Sequence, residues 1–272
     1  MADPEHLKKL KQGVQIWNQW REENQNIKPD LTGANLKTAN LRKVNLIAAN
    51  LGGVNLEKAN LIEADLKKAY ISGAELTDWI EETKLNQASL GLVYLIDSYL
   101  GEIYLKGNYL IKANLSGANL SEAVLRGAIL TQANLSRANL QSAFLTEVDL
   151  SEANLIGANL KKVKLERGVL THAQLPGVEL CDSILPDAKL SHANLNQANL
   201  SRVNLVRADL TRSNLSSANL TQTDLTDASL ARTNLRNANL SYAYLTRVEL
   251  SSANIIGVQL YGAIMPNGEI HD

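Results

Sequence analysis

The chain has 272 residues, with 27 Lys and Arg against 28 Asp and Glu, and a formal net charge of −1. The two signs are balanced along the chain, which excludes a concentrated basic surface for nucleic acid and an acidic tail. Its single cysteine, Cys181, excludes an intrachain disulfide framework, and we expect it to be a free thiol on the surface.

Residues 4–23 are predicted to form an α-helix. Asp3 suits the N-cap and Pro4 the first helical position. The helix should end before Pro29, and we expect residues 1–28 to cover the amino-terminal end of the region that follows. The predicted contact stripe has helical spacing and consists of Leu7, Leu10, Val14, Trp17 and Trp20.

The amino-terminal sequence has no features of a targeting segment. Residues 1–11 are polar and lack the apolar core of a signal peptide. The chain also has no run of about 18 apolar residues, so we expect no membrane-spanning segment. A cytoplasmic location is the resulting expectation.

A repeat of five residues dominates the rest of the chain. Five residues of an α-helix turn through about 500°, and in a strand an odd period alternates between faces, so neither element aligns the repeated side chains. A small residue lies two positions before most of them, as at Ala113 before Leu115. The chain must therefore turn within each repeat. The repeat runs from Leu31 to Leu76 and from Leu85 to Met265, with Leu throughout except at Ile71, Ile255 and Met265.

Stretches such as Ala113–Leu120, with the sequence ANLSGANL, resemble the A(D/N)LXX signature of the pentapeptide-repeat family. The segments Glu5–Glu23 and Met265–Asp272 are similar to the ends of cyanobacterial members. The resemblance implies an all-β solenoid, a right-handed quadrilateral parallel β-helix with four repeats per coil and about twelve coils.

The repeat register breaks once, at residues 77–84, where we predict a loop or bulge. The β-helix is then expected at 29–76 and 85–265, followed by a tail at 266–272. Tyrosines occupy the outward position of the four repeats that follow the break, and large aromatic side chains are enriched at protein contacts. The alternative is that these rings only cover the loop. The predicted partner-binding residues are Asp78, Trp79, Glu81, Glu82, Tyr94, Tyr99, Tyr104 and Tyr109.

Residues 20 apart should stack on successive coils, about 4.8 Å apart. Stacked side chains of opposite charge, or stacked amides, would then contact each other along the solenoid axis. One column alternates in sign and is predicted to form a charge ladder, namely Glu147, Arg167, Asp187, Arg207, Asp227 and Arg247. A second, interrupted by Gln174, consists of Asn114, Asn134, Asn154, Asn194, Asn214, Asn234 and Asn254.

A leucine-filled interior leaves no pocket for converging catalytic groups, so we expect neither enzymatic activity nor a cofactor. The one candidate metal site consists of His172, His192 and Glu152, which share a column. That column lies on a flat outer face and continues to Arg212, so we expect two solvated histidines and no bound metal.

The last coil is unusually apolar on its outer side, which suggests contact with another surface. Ile256 and Tyr261 are examples at outward positions. Either the tail folds over this end or two rods meet end to end, and members of the resembled family dimerise through carboxyl-terminal coils. We therefore consider a homodimer through this coil.

Three functions are compatible with these features. The leading hypothesis is a non-enzymatic protein-binding or scaffold rod with an unidentified protein partner. The second is a mimic of DNA acting on DNA gyrase, known for some members of the family, but the balanced charge disfavours it. The third is a metal-binding surface protein. No direct contact with nucleic acid or membrane is expected.

Overall fold

The computed structural model describes residues 1–56, 59–61, 63–70 and 110–272. Two α-helices come first, α1 at Pro4–Lys11 and α2 at Val14–Glu23. The prediction of one continuous helix was wrong because Gly13 adopts a φ of 116°, which lies outside the helical region. The predicted N-cap is present, since the Asp3 carboxylate accepts the N–H groups of Glu5 and His6.

Side chains of α2 take the place that a preceding coil would occupy on one face of the solenoid. Trp17 is fully buried and its Nε1 donates to the Asn45 carbonyl at 2.7 Å. Asn18 donates to the Lys43 carbonyl at 2.9 Å and accepts the N–H of Asn45 at 2.8 Å. These bonds satisfy backbone groups that would otherwise be unpaired at the edge of the repeat region.

The described repeats form a parallel β-solenoid. Backbone pairing consists of single-residue parallel bridges between residues 20 apart, from Asp30↔Asn50 to Asn50↔Tyr70 and from Asn114↔Asn134 to Tyr244↔Ile264. The Leu115 N–H donates to the Asn134 carbonyl at 2.7 Å, and the Asn134 N–H donates back to the Ala113 carbonyl at 2.9 Å. Four five-residue repeats therefore complete each 20-residue coil.

The repeat leucines and the small residues two positions earlier fill the interior, as predicted. Every repeat leucine from Leu110 to Leu245 is at least 98% buried. Burying one leucine side chain contributes about 2 kcal/mol, so this column is the main source of stability. The described residues leave the interior without a polar cleft, and polar inward side chains are limited to Ser183, Ser213, Thr223 and Thr233.

Each repeat turns at the two residues after its leucine. The turn closes with a hydrogen bond such as that from the Ala138 N–H to the Leu135 carbonyl at 3.0 Å, and its second central residue has a φ near +60°. This is the signature of a type II turn, which normally favours glycine. Here many of these positions hold other residues, for example Arg137 at 58° and His192 at 60°.

The carboxyl-terminal tail folds back on the solenoid. Ile270 forms an antiparallel bridge with Ile264, and the Gly262 N–H donates to the His271 carbonyl at 2.7 Å. The Met265 N–H donates to the Glu269 carbonyl at the same distance. The tail therefore folds over part of this end of the solenoid. None of the described helices is long and apolar enough to cross a membrane.

Candidate functional site

The predicted aromatic belt lies outside the described residues. This applies to Asp78, Trp79, Glu81 and Glu82 in the register break and to Tyr94, Tyr99, Tyr104 and Tyr109 after it. The belt remains a prediction from the sequence.

The alternating charge column stacks in register but forms pairs instead of a continuous ladder. Arg167 binds Glu147 at 2.6 Å, and Arg207 binds Asp187 with two bonds of 2.7 Å. Arg247 binds Asp227 through Nε and Nη2. Each arginine reaches back to the carboxylate one coil earlier, and no ion pair joins the intervening steps among the described residues.

These pairs shift the titration of their members. Hydrogen bonding from Arg207 and Arg247 lowers the pKa of Asp187 and Asp227 below the ordinary aspartate value. A pair that the sequence analysis missed lies on a neighbouring column, where Arg202 binds Asp182 at 2.6 and 2.9 Å. Arg202 lowers the pKa of Asp182 in the same way. A 20-residue spacing between Asp and Arg was the signal that could have identified it.

The predicted asparagine column forms an amide ladder, and Gln174 belongs to it. Asn194 Nδ2 donates to Gln174 Oε1 at 3.3 Å, and Asn214, Asn234 and Asn254 each donate to the amide one coil earlier at 3.4, 3.1 and 3.3 Å. Asn134 donates to Asn114 at 3.3 Å. No side-chain amide bond joins Asn154 to either neighbour within the described coils, so the interruption lies there and not at Gln174.

The candidate metal ligands are only partly brought together. The rings of His172 and His192 stack with centroids 4.7 Å apart and planes inclined by 17°. Glu152 instead accepts a hydrogen bond from Gln132 at 2.7 Å. No group of three His, Cys, Asp or Glu side chains in the described ranges is placed to hold a metal ion. Parallel rings on an outer corner also do not converge on a common point.

Cys181 is buried, with 8% of its surface exposed, so the prediction of a surface thiol was wrong. Ser201, one coil later in the same column, is also buried at 9%. Small side chains at this corner are covered by the adjacent coils. Serines at the same repeat position in other columns, such as Ser136 and Ser151, are only partly buried, so the burial of Cys181 and Ser201 is particular to this column.

Exposed large apolar side chains are more closely spaced in the carboxyl-terminal coils than in the coils before them. Tyr242 and Tyr261 contact each other edge to face, with ring centroids 5.5 Å apart. Only three such exposed residues, Phe144, Ile156 and Ile184, occur between residues 112 and 241. Between 242 and 270 there are six, which we call the C-terminal patch: Tyr242, Tyr244, Ile255, Ile256, Tyr261 and Ile270.

An open backbone edge accompanies the C-terminal patch. From Leu110 to Leu245, every repeat leucine except Leu230 donates its N–H to a carbonyl 19 residues ahead, as Leu245 does to Ile264 at 2.8 Å. The N–H groups of Leu250, Ile255 and Leu260 have no backbone acceptor in the part of the chain that the structure describes. Exposed donors beside apolar side chains are the combination by which a sheet edge adds another strand.

Comparison with known families gives a match over most of the chain. The sequence model of the pentapeptide repeat family matches this chain with eight copies. The matched residues are 39–78, 88–127, 128–167, 169–202, 188–227 and 228–265. Among curated proteins no sequence match was found. The family match extends across the described and the undescribed parts of the repeat region alike.

Solved structures similar to this chain are themselves pentapeptide repeat proteins. HetL, involved in heterocyst differentiation regulation in the cyanobacterium Nostoc sp. strain PCC 7120, is 28% identical with a TM-score of 0.56, covering 93% of this chain and 98% of HetL. A pentapeptide repeat protein from the Arabidopsis thaliana thylakoid lumen is 28% identical, with a TM-score of 0.35 and coverages of 36% and 68%. The similarity to HetL agrees with the right-handed β-helical solenoid expected from the sequence.

A third structure is trypsin-treated QnrB1, a plasmid-mediated fluoroquinolone resistance protein. It is 18% identical, with a TM-score of 0.44, and the match covers 61% of this chain and 90% of that one. At this level of similarity, neither it nor the thylakoid protein bears on the function of this chain.

Proposed function

Because this chain belongs to the pentapeptide repeat family, we propose that it is a non-enzymatic scaffold rod that works by binding proteins. The observation that carries this proposal is the C-terminal patch together with the open backbone edge beside it. Exposed apolar side chains concentrated at one place on an otherwise polar surface favour a protein contact. The packed interior supports a non-catalytic role, since function then depends on the outer surface.

The proposed occupant of the C-terminal patch is a second copy of the chain. Two identical open edges can pair through a two-fold axis, and such isologous dimers are the commonest oligomers. The folded tail already satisfies the donors of Gly262 and Met265, so pairing would involve the remaining donors at Leu250, Ile255 and Leu260. Burying Ile256 and Tyr261, which are 67% and 64% exposed, would add apolar contact.

Sedimentation equilibrium over a range of concentrations tests the dimer. We expect a reversible dimer for the wild type and a monomer for Ile256→Glu. Ile156→Glu is the matched control, because Ile156 is 47% exposed and occupies the same column five coils earlier. A monomeric wild type, or a dimer that both substitutions leave intact, would contradict the proposed dimer.

The aromatic belt is the proposed site for a different protein partner. Tyr94, Tyr99, Tyr104 and Trp79 supply the large amphipathic side chains that typically anchor protein contacts. Capture from a lysate of the source organism should retain a specific protein on the wild type and lose it on the Tyr94/Tyr99/Tyr104→Ala variant. Equal capture by a folded variant would remove the belt from the proposal.

The paired charges do not favour the alternative of DNA mimicry. A mimic presents a continuous acidic face, whereas Asp182, Asp187 and Asp227 each bind an arginine one coil later. A DNA gyrase supercoiling assay checks this directly. We expect neither inhibition nor protection of the enzyme.

A further inference from the structure

One strip of the solenoid surface has an excess of positive charge. We call this surface the basic strip. It consists of the outward-facing side chains of four stacked segments, residues 171–177, 191–197, 211–217 and 231–237. The amide ladder runs along its centre, from Gln174 through Asn194 and Asn214 to Asn234. The two turns that flank the ladder contain three arginines, two histidines and no acidic residue: His172, His192, Arg212, Arg232 and Arg236.

The arginines of the basic strip lack the carboxylate partner that five of the other eight described arginines have. Elsewhere on the solenoid, Arg202, Arg207 and Arg247 each bind an aspartate one coil earlier. The residue one coil before Arg212 is His192, and the residue one coil before Arg232 is Arg212 itself. Among the described residues no carboxylate forms an ion pair with any arginine of the strip.

Two acidic residues adjoin the strip, one along the chain and one in the same column, and each accepts a hydrogen bond from a group outside the arginines of the strip. Asp209 precedes the turn that contains Arg212, and its Oδ1 accepts the N–H of Thr211 at 2.9 Å. Glu152 stands one coil before His172 and accepts a hydrogen bond from Gln132 at 2.7 Å. Within the described ranges, no carboxylate neutralises the positive charge of the strip through an ion pair.

This arrangement is unfavourable for the isolated fold. Like charges that face each other on neighbouring strands are destabilising, and Arg212 and Arg232 are stacked one coil apart. An anionic partner would remove this repulsion. The ladder adds further donors, because each bond along it uses one of the two N–H groups of an asparagine amide.

We propose that the basic strip binds a carboxylate-rich extended segment of a partner protein. This inference rests on the proposed protein-binding function and assigns the chemistry of one partner. Carboxylates accept paired hydrogen bonds from guanidinium and single bonds from amide N–H groups, and the strip offers both. Nucleic acid fits less well, because its affinity depends on many phosphate contacts and the chain as a whole has a net charge of −1.

The test uses the full chain and a fluorescein-labelled peptide of alternating glutamate and serine, followed by fluorescence anisotropy at low salt. The glutamine counterpart of the peptide is the neutral control. We expect the variant Arg212→Gln/Arg232→Gln/Arg236→Gln to bind the acidic peptide at least tenfold more weakly than the wild type. A matched variant, Lys68→Gln/Arg126→Gln/Arg137→Gln, removes three positive charges outside the strip and should bind within about twofold of the wild type.

A second measurement separates binding from a structural role. Arg232→Gln should leave the free energy of unfolding unchanged or slightly higher, since it removes the repulsion from Arg212, while weakening peptide binding. No binding by the wild type, equal weakening in both triple variants, or tighter binding of a single-stranded DNA of equal charge would overturn the inference. The peptide-binding results do not depend on the sedimentation or lysate-capture results. The proposed protein-binding function can therefore be tested separately from the inference about the basic strip.

Discussion

Arg207 reaches one coil back along the solenoid and binds the Asp187 carboxylate through Nε and Nη2, both at 2.7 Å. The planar guanidinium matches the two carboxylate oxygens, and the 20-residue coil places the pair in register. The same geometry recurs between Arg202 and Asp182. Both pairs are exposed, so they act in water and are sensitive to salt and acid.

Acid should weaken the solenoid through these pairs. The pKa values of Asp182, Asp187 and Asp227 are lowered in the folded chain, so the stabilisation is present above the unfolded value of about 3.9. It is lost as the pH falls through the folded values, because the unfolded chain then binds more protons. Urea unfolding between pH 7 and pH 3 should show a smaller decrease for a variant with glutamine at Arg202, Arg207 and Arg247. Arg126→Gln, which removes an arginine without an ion pair in the described residues, should follow the wild type.

Two inward serines should respond oppositely to alanine. Ser183 Oγ donates to the Leu160 carbonyl at 2.8 Å and accepts the Val163 N–H at 3.1 Å, so Ser183→Ala removes two buried hydrogen bonds and should cost about 1–3 kcal/mol. Ser213 Oγ is buried and has no hydrogen-bond partner among the described residues, so Ser213→Ala should raise the free energy of unfolding by about 1 kcal/mol. Denaturant titration of the two variants checks the difference. Equal effects would mean that the hydroxyl of Ser213 is satisfied in solution.

Glycines with positive φ differ in the space around them. Gly127 has a φ of 64° and no atom of the described residues lies within 4 Å of an added Cβ, so Gly127→Ala should cost about 1 kcal/mol from backbone strain. At Gly262 the φ is 68° and an added Cβ would lie 2.6 Å from the Tyr242 ring. Gly262→Ala should therefore destabilise the chain more, and thermal unfolding of both variants would show it. A smaller effect at Gly262 would mean that the ring moves freely.

The hydrogen bond of the Trp17 indole N–H should stabilise the chain in addition to the packing of the ring. Trp17→Phe removes the donor to the Asn45 carbonyl and should cost about 1–3 kcal/mol. Trp20→Phe is the control, because no hydrogen bond is formed by the Trp20 indole N–H within the described residues. Chemical unfolding of both variants measures the difference, and equal losses would argue that packing alone holds α2 on the solenoid.

The five-residue period allows two features of the fold to be predicted from the sequence, the residues of the interior and the residues that stack on successive coils. Leucine spacing specifies the interior, and the 20-residue coil specifies which residues stack, including the Asp187–Arg207 pair. It does not specify which way an arginine reaches, because that depends on side-chain geometry, nor the burial of Cys181, which depends on the coils around it. The division of the amino-terminal helix follows from the backbone of Gly13, and a helical stripe of apolar residues does not reveal it.

The surface sites could also be predicted from the sequence only in part. The stacked histidines were identified as sharing a column, but their parallel orientation was not. The C-terminal patch was recognised at Ile256 and Tyr261, whereas Tyr242 and Tyr244 were missed. Both tyrosines belong to regular repeats, so only the exposure of their rings distinguishes them. The basic strip could not be identified from the sequence, because it is distinguished by the ion pairs that the other arginines form and its own arginines do not.

The coil-to-coil hydrogen bonds have a consequence for how the chain acquires its structure. Each backbone bond between regular coils joins residues 19 or 21 apart, as in Leu115 to Asn134 and Asn134 to Ala113. Backbone pairing between regular coils therefore involves only segments that are close in sequence. Each added coil closes one loop of about 20 residues, so the entropy cost of loop closure is the same for every coil. We expect the solenoid to grow by adding one coil at a time to an existing template, with α2 providing a ready-made first surface. Synthesis from the amino terminus would then present the coils in the order in which they can be added.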